Sequence, residues 1–190
     1  EGRTVRVTGG ARRIGREIAL EAARAGANVA ITYLSSEREA ERTLLAIAEA
    51  STPAMSLWCD VRDPKSVKAA VRSVVREFGG IDVLVNNAAV YETARFEQIT
   101  LRQWDNTFAS NTRGPFLISR AALQTLRQRR GRIVNLGSLG GLQAWATHAH
   151  YCASKAGVIM LTRALAKALA PAIRVNSVAP GTIQFPGEER

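Results

Sequence analysis

The sequence predicts an α/β fold in which helices cover both faces of one parallel sheet. Two observations support this fold class. Six short apolar runs alternate with helical segments along the 190 residues, and a glycine-rich turn directly follows the first run. Hydrophobic residues make up 46% and charged residues 22% of the chain, a balance typical of a globular domain with a full core. We therefore predict a doubly wound parallel sheet in a three-layer α/β/α arrangement, with residues 1–190 forming one domain.

Each predicted strand is a short run of β-branched and aliphatic residues. The first run begins at Thr4 and ends at the Gly9-Gly10 turn, and the third ends at Trp58, which we expect in the core. The six predicted strands span residues 4–8, 28–32, 54–58, 81–85, 132–136 and 172–176.

The segments between these strands have the apolar spacing of amphipathic helices. Pro64 stands where a first-turn proline is tolerated, and Pro115 is expected to kink the fourth helix. Acidic residues follow Ser36 in the first turns of the second helix, where the helix dipole favours them. The five predicted helices cover residues 13–26, the segment from residue 36 onward, and residues 63–78, 101–130 and 151–170.

The turn between the first strand and the first helix has the composition of a dinucleotide-binding loop. It reads Thr8-Gly-Gly-Ala-Arg-Arg-Ile-Gly15. Glycines let the backbone approach a pyrophosphate, and the helix N-terminus supplies N–H donors. A glycine-rich turn alone is equally compatible with a simple tight turn, but its place in an alternating chain favours a Rossmann-like site. The loop residues expected to contact the cofactor are Gly9, Arg12, Arg13, Ile14 and Gly15.

The residues after the second strand favour NADP(H) over NAD(H). An NAD site often has an acid there that binds the ribose hydroxyls, whereas residues 32–36 contain none. Arg12 and Arg13 offer paired N–H donors to a 2′-phosphate, and Ser35 and Ser36 offer hydroxyls. We expect one of the two arginines to be a solvated surface residue.

Tyr151 and Lys155 are the predicted catalytic pair. They lie four residues apart, so both project from one face of the last helix. A neighbouring ammonium favours the phenolate, so we expect Lys155 to lower the pKa of Tyr151 into the range for proton transfer. Ser138 directly follows the fifth strand, at the sheet edge where doubly wound folds bind ligands.

Six motifs in register give a resemblance to a known family. They are the glycine-rich loop 8–15, Asp60-Val61, Asn86-Asn87-Ala88-Ala89, Asn111 with Ser138, Tyr151-Cys-Ala-Ser-Lys155 and Pro180-Gly181. In this order they resemble the short-chain dehydrogenases/reductases along the whole chain. The resemblance implies an NADP(H)-dependent oxidoreductase that moves a hydride between nicotinamide and a carbonyl or alcohol substrate.

The same resemblance implies a role for each matching residue. Tyr151 would be the acid or base, and Lys155 would also bind the nicotinamide ribose. Ser138 would donate a hydrogen bond to the substrate oxygen, and Asn111 would hold a water molecule in a proton relay. Further cofactor contacts would come from Asp60 and Val61 at the adenine, from Asn87, Ala88 and Ala89 at the adenosine ribose, and from Pro180, Gly181 and Ile183 at the nicotinamide.

Three departures from the family pattern leave alternatives open. Arg13 stands where the family usually has glycine, which resembles the pteridine reductases, and Ala89 ends a motif that usually ends in glycine. Ser138 instead resembles the broad carbonyl-reducing group that includes 3-oxoacyl carrier-protein reductases. Family members also continue well beyond Pro180-Gly181, so we expect this chain to lack the usual C-terminal substrate segment. The alternatives are reduction of a pterin C=N bond, or a nucleotide-binding module with little activity.

Composition and charge argue against other classes of function. The net charge is +10, and 22 of the 26 basic residues are scattered arginines without a nucleic-acid-binding motif, so we expect no nucleic-acid partner. No apolar run approaches the roughly 20 residues of a membrane helix, and no signal-peptide pattern appears, so we expect a cytoplasmic protein without a membrane partner. Without a Cys/His cluster, we expect no metal site. The resemblance implies a homodimer or homotetramer.

Five other side chains have less specific interpretations. We expect Cys59 and Cys152 to be small, reduced and buried. His148 and His150 are interpreted as ordinary loop residues, with the substrate cleft as the alternative. Trp145 is a candidate substrate contact.

Overall fold

The computed structural model describes residues 2–185 of the chain. Its six strands form one parallel sheet in the order β3-β2-β1-β4-β5-β6. They are β1 (Thr4–Thr8), β2 (Asn28–Tyr33), β3 (Ala54–Trp58), β4 (Val83–Asn86), β5 (Arg132–Leu136) and β6 (Arg174–Val178). The strand order reverses between β1 and β4, which confirms the doubly wound sheet and places a ligand crevice at their carboxyl ends.

Helices cover both faces of this sheet and complete the predicted three layers. They are α1 (Arg13–Arg24), α2 (Glu37–Ala48), α3 (Pro64–Phe78), α4 (Leu101–Phe108), α5 (Gly114–Ala121), α6 (Leu123–Gln128) and α7 (Ala149–Leu169). Apolar residues of α1 and α2 pack on one face of the sheet. Those of α3, α5, α6 and α7 pack on the other. The carboxyl ends of β1, β4 and β5 remain open between the two layers.

The segment predicted as one helix over residues 101–130 is divided. Its helical turns continue from α4 into a π-helical segment, Ala109–Arg113, before α5 begins at Gly114. Pro115 has no N–H to donate to the carbonyl four residues earlier, so the regular ladder cannot pass through this point. The expected kink is therefore a wider turn, and it carries Asn111.

Two strands begin later than the apolar pattern predicted. Ile81 is buried, but its N–H donates to the Thr125 hydroxyl at 2.9 Å rather than to a neighbouring strand. Ile173 likewise donates to Leu169 O at 2.9 Å, which keeps it in the turn before β6. Both residues are apolar because they fill the core, and periodicity alone cannot separate this role from membership of a strand.

Burial contradicts the interpretations of four single residues. Trp58 is 57% exposed, since β3 is the edge strand, so the expectation of a core residue is wrong. His148 and His150 are buried, with 9% and 0% exposure, and His150 lies within α7, so neither is an ordinary loop residue. Cys59 is buried as expected, whereas Cys152 is only half-buried.

A buried polar network ties the centre of the sheet to the helices. The Asn86 amide donates to Asn135 Oδ1 at 2.8 Å, and the Asn135 amide donates to the Thr162 hydroxyl at 2.9 Å. This chain joins β4, β5 and α7 next to the open end of the sheet. Buried amides that have partners fix relative positions more specifically than apolar contacts do.

One cation lies inside the protein beneath the central strand of the sheet. Arg6, in β1, has 0% exposure, and its Nη2 donates to Cys59 Sγ at a distance of 4.0 Å. Its Nε and Nη1 atoms have no hydrogen-bond partner among the described residues. Burial lowers the pKa of Arg6 and raises the pKa of the Cys59 thiol.

Candidate active site

A cavity of about 150 Å³ opens at the carboxyl ends of β1, β4 and β5. Eight of its lining residues are ones that the sequence predicted: Ile14, Asn87, Ala89, Ser138, Tyr151, Lys155, Pro180 and Gly181. The sequence analysis missed Leu136 and Gly137, which also line it. Their place immediately before Ser138, at the end of a strand, was the available signal. Three loops, which follow β4, β5 and β6, and two helices, α1 and α7, thus place their predicted residues around one space.

In the glycine-rich loop, backbone segments approach each other so closely that side chains are excluded. A Cβ on Gly15 would lie 2.2 Å from Gly9 O, so only glycine fits at the first turn of α1. Arg13 has φ +51°, in the region that glycine favours and where the resembling family usually has glycine. Its guanidinium lies 5.4 Å from the centre of the Phe185 ring. Arg12 and Arg13 are both exposed beside this N-terminus.

Asn87 and Thr8 hold this loop against the end of β4. The Asn87 amide donates to Thr8 O at 2.9 Å and to Gly9 O at 3.0 Å. The Thr8 hydroxyl oxygen in turn accepts from the N–H groups of Asn87 and Ala88, both at 3.0 Å. The close approach of two backbones and the free N–H groups of a helix N-terminus fit a dinucleotide pyrophosphate.

Lys155 is buried beneath the cavity. Its ammonium donates to Leu136 O at 2.7 Å, and it lies 5.8 Å from the centre of the Tyr151 ring. Burial lowers the pKa of Lys155 from 10.5 to about 8. The group therefore changes charge close to physiological pH, which a solvated lysine does not do.

The pKa of Tyr151 is raised, contrary to the expectation that Lys155 lowers it. Burial of the phenol is the largest cause, and a hydrogen bond with Ser138 only partly opposes it. The Lys155 ammonium donates its hydrogen bond to Leu136 O. Ser138 Oγ also accepts from Gly140 N at 3.1 Å, which orients its hydroxyl.

Asn111 is anchored in the π-helical segment between α4 and α5. Its Oδ1 accepts from Val90 N at 2.8 Å, and its Nδ2 donates to Val90 O at 2.9 Å and to the Ser154 hydroxyl at 3.1 Å. The amide thus connects the loop after β4 with α7, one residue before Lys155.

Asp60 already has a strong partner. Both of its carboxylate oxygens accept hydrogen bonds from the Arg62 guanidinium, at 2.8 to 3.2 Å, which lowers the pKa of Asp60. Arg62 also donates to Asn106 Oδ1 at 2.7 Å. The sequence analysis did not predict this ion pair, although a basic residue two positions after the acid was a visible signal.

The remaining predicted cofactor contacts lie outside the cavity. Val61 packs in the core layer beside α3. Ser35 is exposed after β2, and Ile183 is 42% exposed near the end of the described chain. Near Ser35, the Tyr33 hydroxyl donates to the Glu37 carboxylate at 2.9 Å. Glu37 is therefore an acid close to the end of β2, one position after the residues 32–36 in which the sequence shows none.

The described residues contain neither a metal-binding cluster nor a membrane-spanning helix. Within residues 2–185, no three or more His, Cys, Asp or Glu side chains are grouped so that they could hold a metal ion. No helix in the described part of the chain is long and apolar enough to cross a membrane.

Comparisons with known proteins agree with this geometry. The family model of short chain dehydrogenases matches residues 3–189. The 3-oxoacyl-[acyl-carrier-protein] reductase FabG of Staphylococcus aureus (strain Mu50) is 42% identical over 179 residues, which cover 93% of this chain and 73% of that protein. Its counterpart from a Staphylococcus epidermidis strain is 40% identical over the same length.

Two crystal structures from Sinorhizobium meliloti 1021 share the fold. A putative short-chain alcohol dehydrogenase superposes with a TM-score of 0.94 at 36% identity, and covers 100% of this chain and 75% of its own. A dehydrogenase/reductase superposes with a TM-score of 0.94 at 37% identity, over 97% of this chain and 74% of its own. Sequence motifs, sheet topology and relatives agree, and the chain belongs to the short-chain dehydrogenase family.

Proposed function

We propose that this protein is an NADP(H)-dependent oxidoreductase that interconverts a small carbonyl compound and its alcohol. The observation that carries the proposal is the single cavity in which Ser138, Tyr151 and Lys155 meet beside the glycine-rich loop. When bound, the nicotinamide supplies the hydride for the carbonyl carbon or accepts it from the alcohol. Residues 1–190 would form one nucleotide-binding domain around this cavity.

Tyr151 and Ser138 act on the substrate oxygen. In the reductive direction Tyr151 transfers its phenolic proton to the oxygen while Ser138 donates a hydrogen bond to the charge that develops there. The phenol is protonated at neutral pH, as an acid must be, and because its raised pKa makes it a weaker acid, proton release depends on nearby positive charge. The phenolate that remains is stabilised by the Lys155 ammonium, and Asn111 positions α7 and a water molecule for reprotonation.

The preference for NADP(H) rests on the exposed arginines at the start of α1. Arg12 and Arg13 supply positive charge, and Ser35 and Ser36 supply hydroxyls, near the expected 2′-phosphate. Gly9, Ile14 and Gly15 approach the pyrophosphate, and Pro180, Gly181 and Ile183 approach the nicotinamide. Adenine binding by Asp60 would require Arg62 to share its carboxylate. Val61, Asn87, Ala88 and Ala89 complete the adenosine site.

The cofactor preference has a direct test by equilibrium binding. Arg13→Gly should weaken NADPH binding by about 10- to 100-fold, the cost of one or two charge-assisted hydrogen bonds, and leave NADH binding unchanged. Arg24→Gly, at the far end of α1, is the control. Equal losses for both cofactors, or none for NADPH, would contradict the proposed preference.

Pterin reduction is a second candidate that one observation favours. Arg13 takes a left-handed conformation at the position where pteridine reductases resemble this chain. Ser138 favours carbonyl reduction instead, because its hydroxyl suits an oxygen that gains negative charge. A panel of carbonyl compounds and a pterin, followed by NADPH and NADH absorbance, separates the two reactions. No turnover above the Tyr151→Phe background with any compound would favour a nucleotide-binding module.

We further propose a cytoplasmic homodimer or homotetramer. An open cavity of about 680 Å³ lies along α4, α5 and α7, and its apolar lining includes Phe108, Phe116 and Leu161. Phe116 is 41% exposed there, and Met160 on α7 is 59% exposed. Light scattering with Phe116→Arg measures the oligomeric state, and an unchanged mass would contradict pairing through this face.

A further inference from the structure

Two aromatic rings contact the ring of Tyr151. The Tyr91 ring meets it edge-on, with ring centres 4.8 Å apart and an interplanar angle of 87°. The Trp145 ring lies nearly parallel to it, with a centre distance of 6.2 Å and an angle of 12°. Tyr91 comes from the loop after β4 and Trp145 from the loop after β5, so only the folded chain brings them together.

His148 holds these two rings in place. It stacks on Tyr91 at 4.7 Å and meets Trp145 edge-on at 5.8 Å. Its ring nitrogens are hydrogen-bonded to the hydroxyls of Thr93 and Thr147, each at 3.0 Å. Burial lowers the pKa of His148 below its usual 6.5, so the ring is neutral at pH 7. The group therefore presents neutral aromatic surface next to Tyr151.

Trp145 and Tyr91 differ in what covers them. A Cβ on Gly140 would lie 2.9 Å from the Trp145 ring, so this indole is closely packed from behind. Tyr91, by contrast, is 59% exposed although it contacts two other aromatic rings. An exposed, oriented aromatic ring beside the predicted proton donor is surface that a ligand can cover.

We propose that Tyr91 and Trp145 form an aromatic wall that selects carbonyl substrates in which the carbonyl group is attached to a flat conjugated ring. The two rings of the wall are nearly perpendicular, so a flat ring can stack on the exposed Tyr91 ring and meet the Trp145 ring edge-on, while its attached carbonyl oxygen reaches the hydroxyls of Tyr151 and Ser138. A saturated ring or an acyl chain fills similar space but lacks the stacking contribution. This inference rests on the proposed carbonyl reduction and specifies its substrate class.

The test uses two substrates of matched size and two variants of Tyr91. Ethyl benzoylacetate carries a phenyl ketone, and its analogue with a cyclohexyl ring in place of the phenyl ring is not flat. The ratio of their kcat/KM values, with NADPH, should fall about 3- to 10-fold in Tyr91→Leu, the range expected from one lost aromatic contact. Tyr91→Phe retains the ring and should keep the wild-type ratio.

Phe96→Leu is the control, because Phe96 lies further along the same loop, is 74% exposed and stacks on no ring among the described residues. The comparison of ratios removes the different intrinsic reactivities of the two ketones. Equal ratios in the wild type and Tyr91→Leu, with both substrates reduced, would overturn the aromatic wall alone. No reduction of either ketone or of any compound in the carbonyl panel would overturn the proposed function instead.

A binding measurement provides a readout independent of turnover. In the Tyr151→Phe background, calorimetry with ethyl benzoylacetate should show a Kd that Tyr91→Leu raises by about 3- to 10-fold. The melting temperature should stay within about 2 °C, because Tyr91 is exposed. An unchanged Kd would overturn the inference.

Discussion

Two buried cations in this protein occupy very different surroundings. Lys155, at the carboxyl end of the sheet, has 4% exposure and donates to Leu136 O at 2.7 Å beside Tyr151. Arg6, within β1, has 0% exposure, and its Nη2 donates to Cys59 Sγ at 4.0 Å. Burial lowers the pKa of both groups.

The contrast shows that burial alone does not create a functional cation. Lys155 lies where a neighbouring phenol can use its charge, and its pKa of about 8 lets that charge respond to pH. The Arg6 guanidinium instead has two nitrogen atoms without a hydrogen-bond partner among residues 2–185. Desolvation of Lys155 therefore contributes to the proposed proton transfer. Desolvation of Arg6 should instead reduce the stability of the folded protein.

The largest expected effect comes from removing the hydroxyl of Tyr151, the proposed acid next to Lys155. Tyr151→Phe should lower the rate of carbonyl reduction by about 100- to 10,000-fold, the usual contribution of a positioned acid or base. NADPH affinity and the melting temperature should change little, since the ring remains. Stopped-flow rates with fluorescence titration of NADPH provide the measurement. Retention of wild-type turnover would contradict the mechanism.

The second prediction uses the pH response of Lys155. Above pH about 8 the ammonium loses its charge, so kcat/KM for reduction should fall about tenfold per pH unit. The free energy of unfolding should instead increase as the pH rises through the same range. Between about 8 and 10.5 the unfolded chain still binds the proton that the folded chain has lost, so stability rises with pH there.

Lys155→Met is the comparison for both trends. This variant should be slow at every pH, without the fall in kcat/KM above 8. Its stability should lack the component that rises toward pH 10.5. Rate profiles and urea unfolding at several pH values measure these trends, and identical pH profiles in the two proteins would contradict the assignment.

The third prediction concerns the effect of the buried Arg6 guanidinium on stability. Arg6→Leu should raise the free energy of unfolding by about 1 to 4 kcal/mol, because an apolar side chain replaces a buried charge. For a chain of this length that corresponds to roughly 2 to 4 °C of melting temperature per kcal/mol. Arg3→Leu, on an exposed residue just before β1, is the control. A less stable Arg6→Leu protein would show that the guanidinium is better stabilised than its contacts indicate.

The smallest expected effect tests the contact between Arg6 and Cys59. Cys59→Ala should cost about 1 to 3 kcal/mol when Arg6 is present, because its guanidinium then loses its hydrogen bond to Cys59 Sγ. The same substitution in the Arg6→Leu background should cost less. Urea unfolding of the four proteins gives the coupling energy, and additive effects would mean that the two side chains do not interact.

Much of the candidate site was predictable because its motifs are local. The loop around Gly15, the spacing of Tyr151 and Lys155, and the place of Ser138 after β5 each depend on a few consecutive residues. The cavity joins residues of these motifs. The ion pair of Asp60 with Arg62 and the contact of Tyr91 with Tyr151 were missed, whereas Trp145 was predicted as a substrate contact. The position of Tyr91 depends on side-chain directions that spacing in the sequence does not encode.

The sequence by itself determined the order of strands and helices and the identity of the candidate catalytic residues, because apolar periodicity and short motifs act over a few residues. Tertiary structure alone decided how deeply each polar group is buried. Desolvation depends on atoms contributed by distant segments, and it reversed the expected direction of the Tyr151 pKa shift. The same long-range packing buried Arg6 beside Cys59 and placed Tyr91 and Trp145 beside Tyr151.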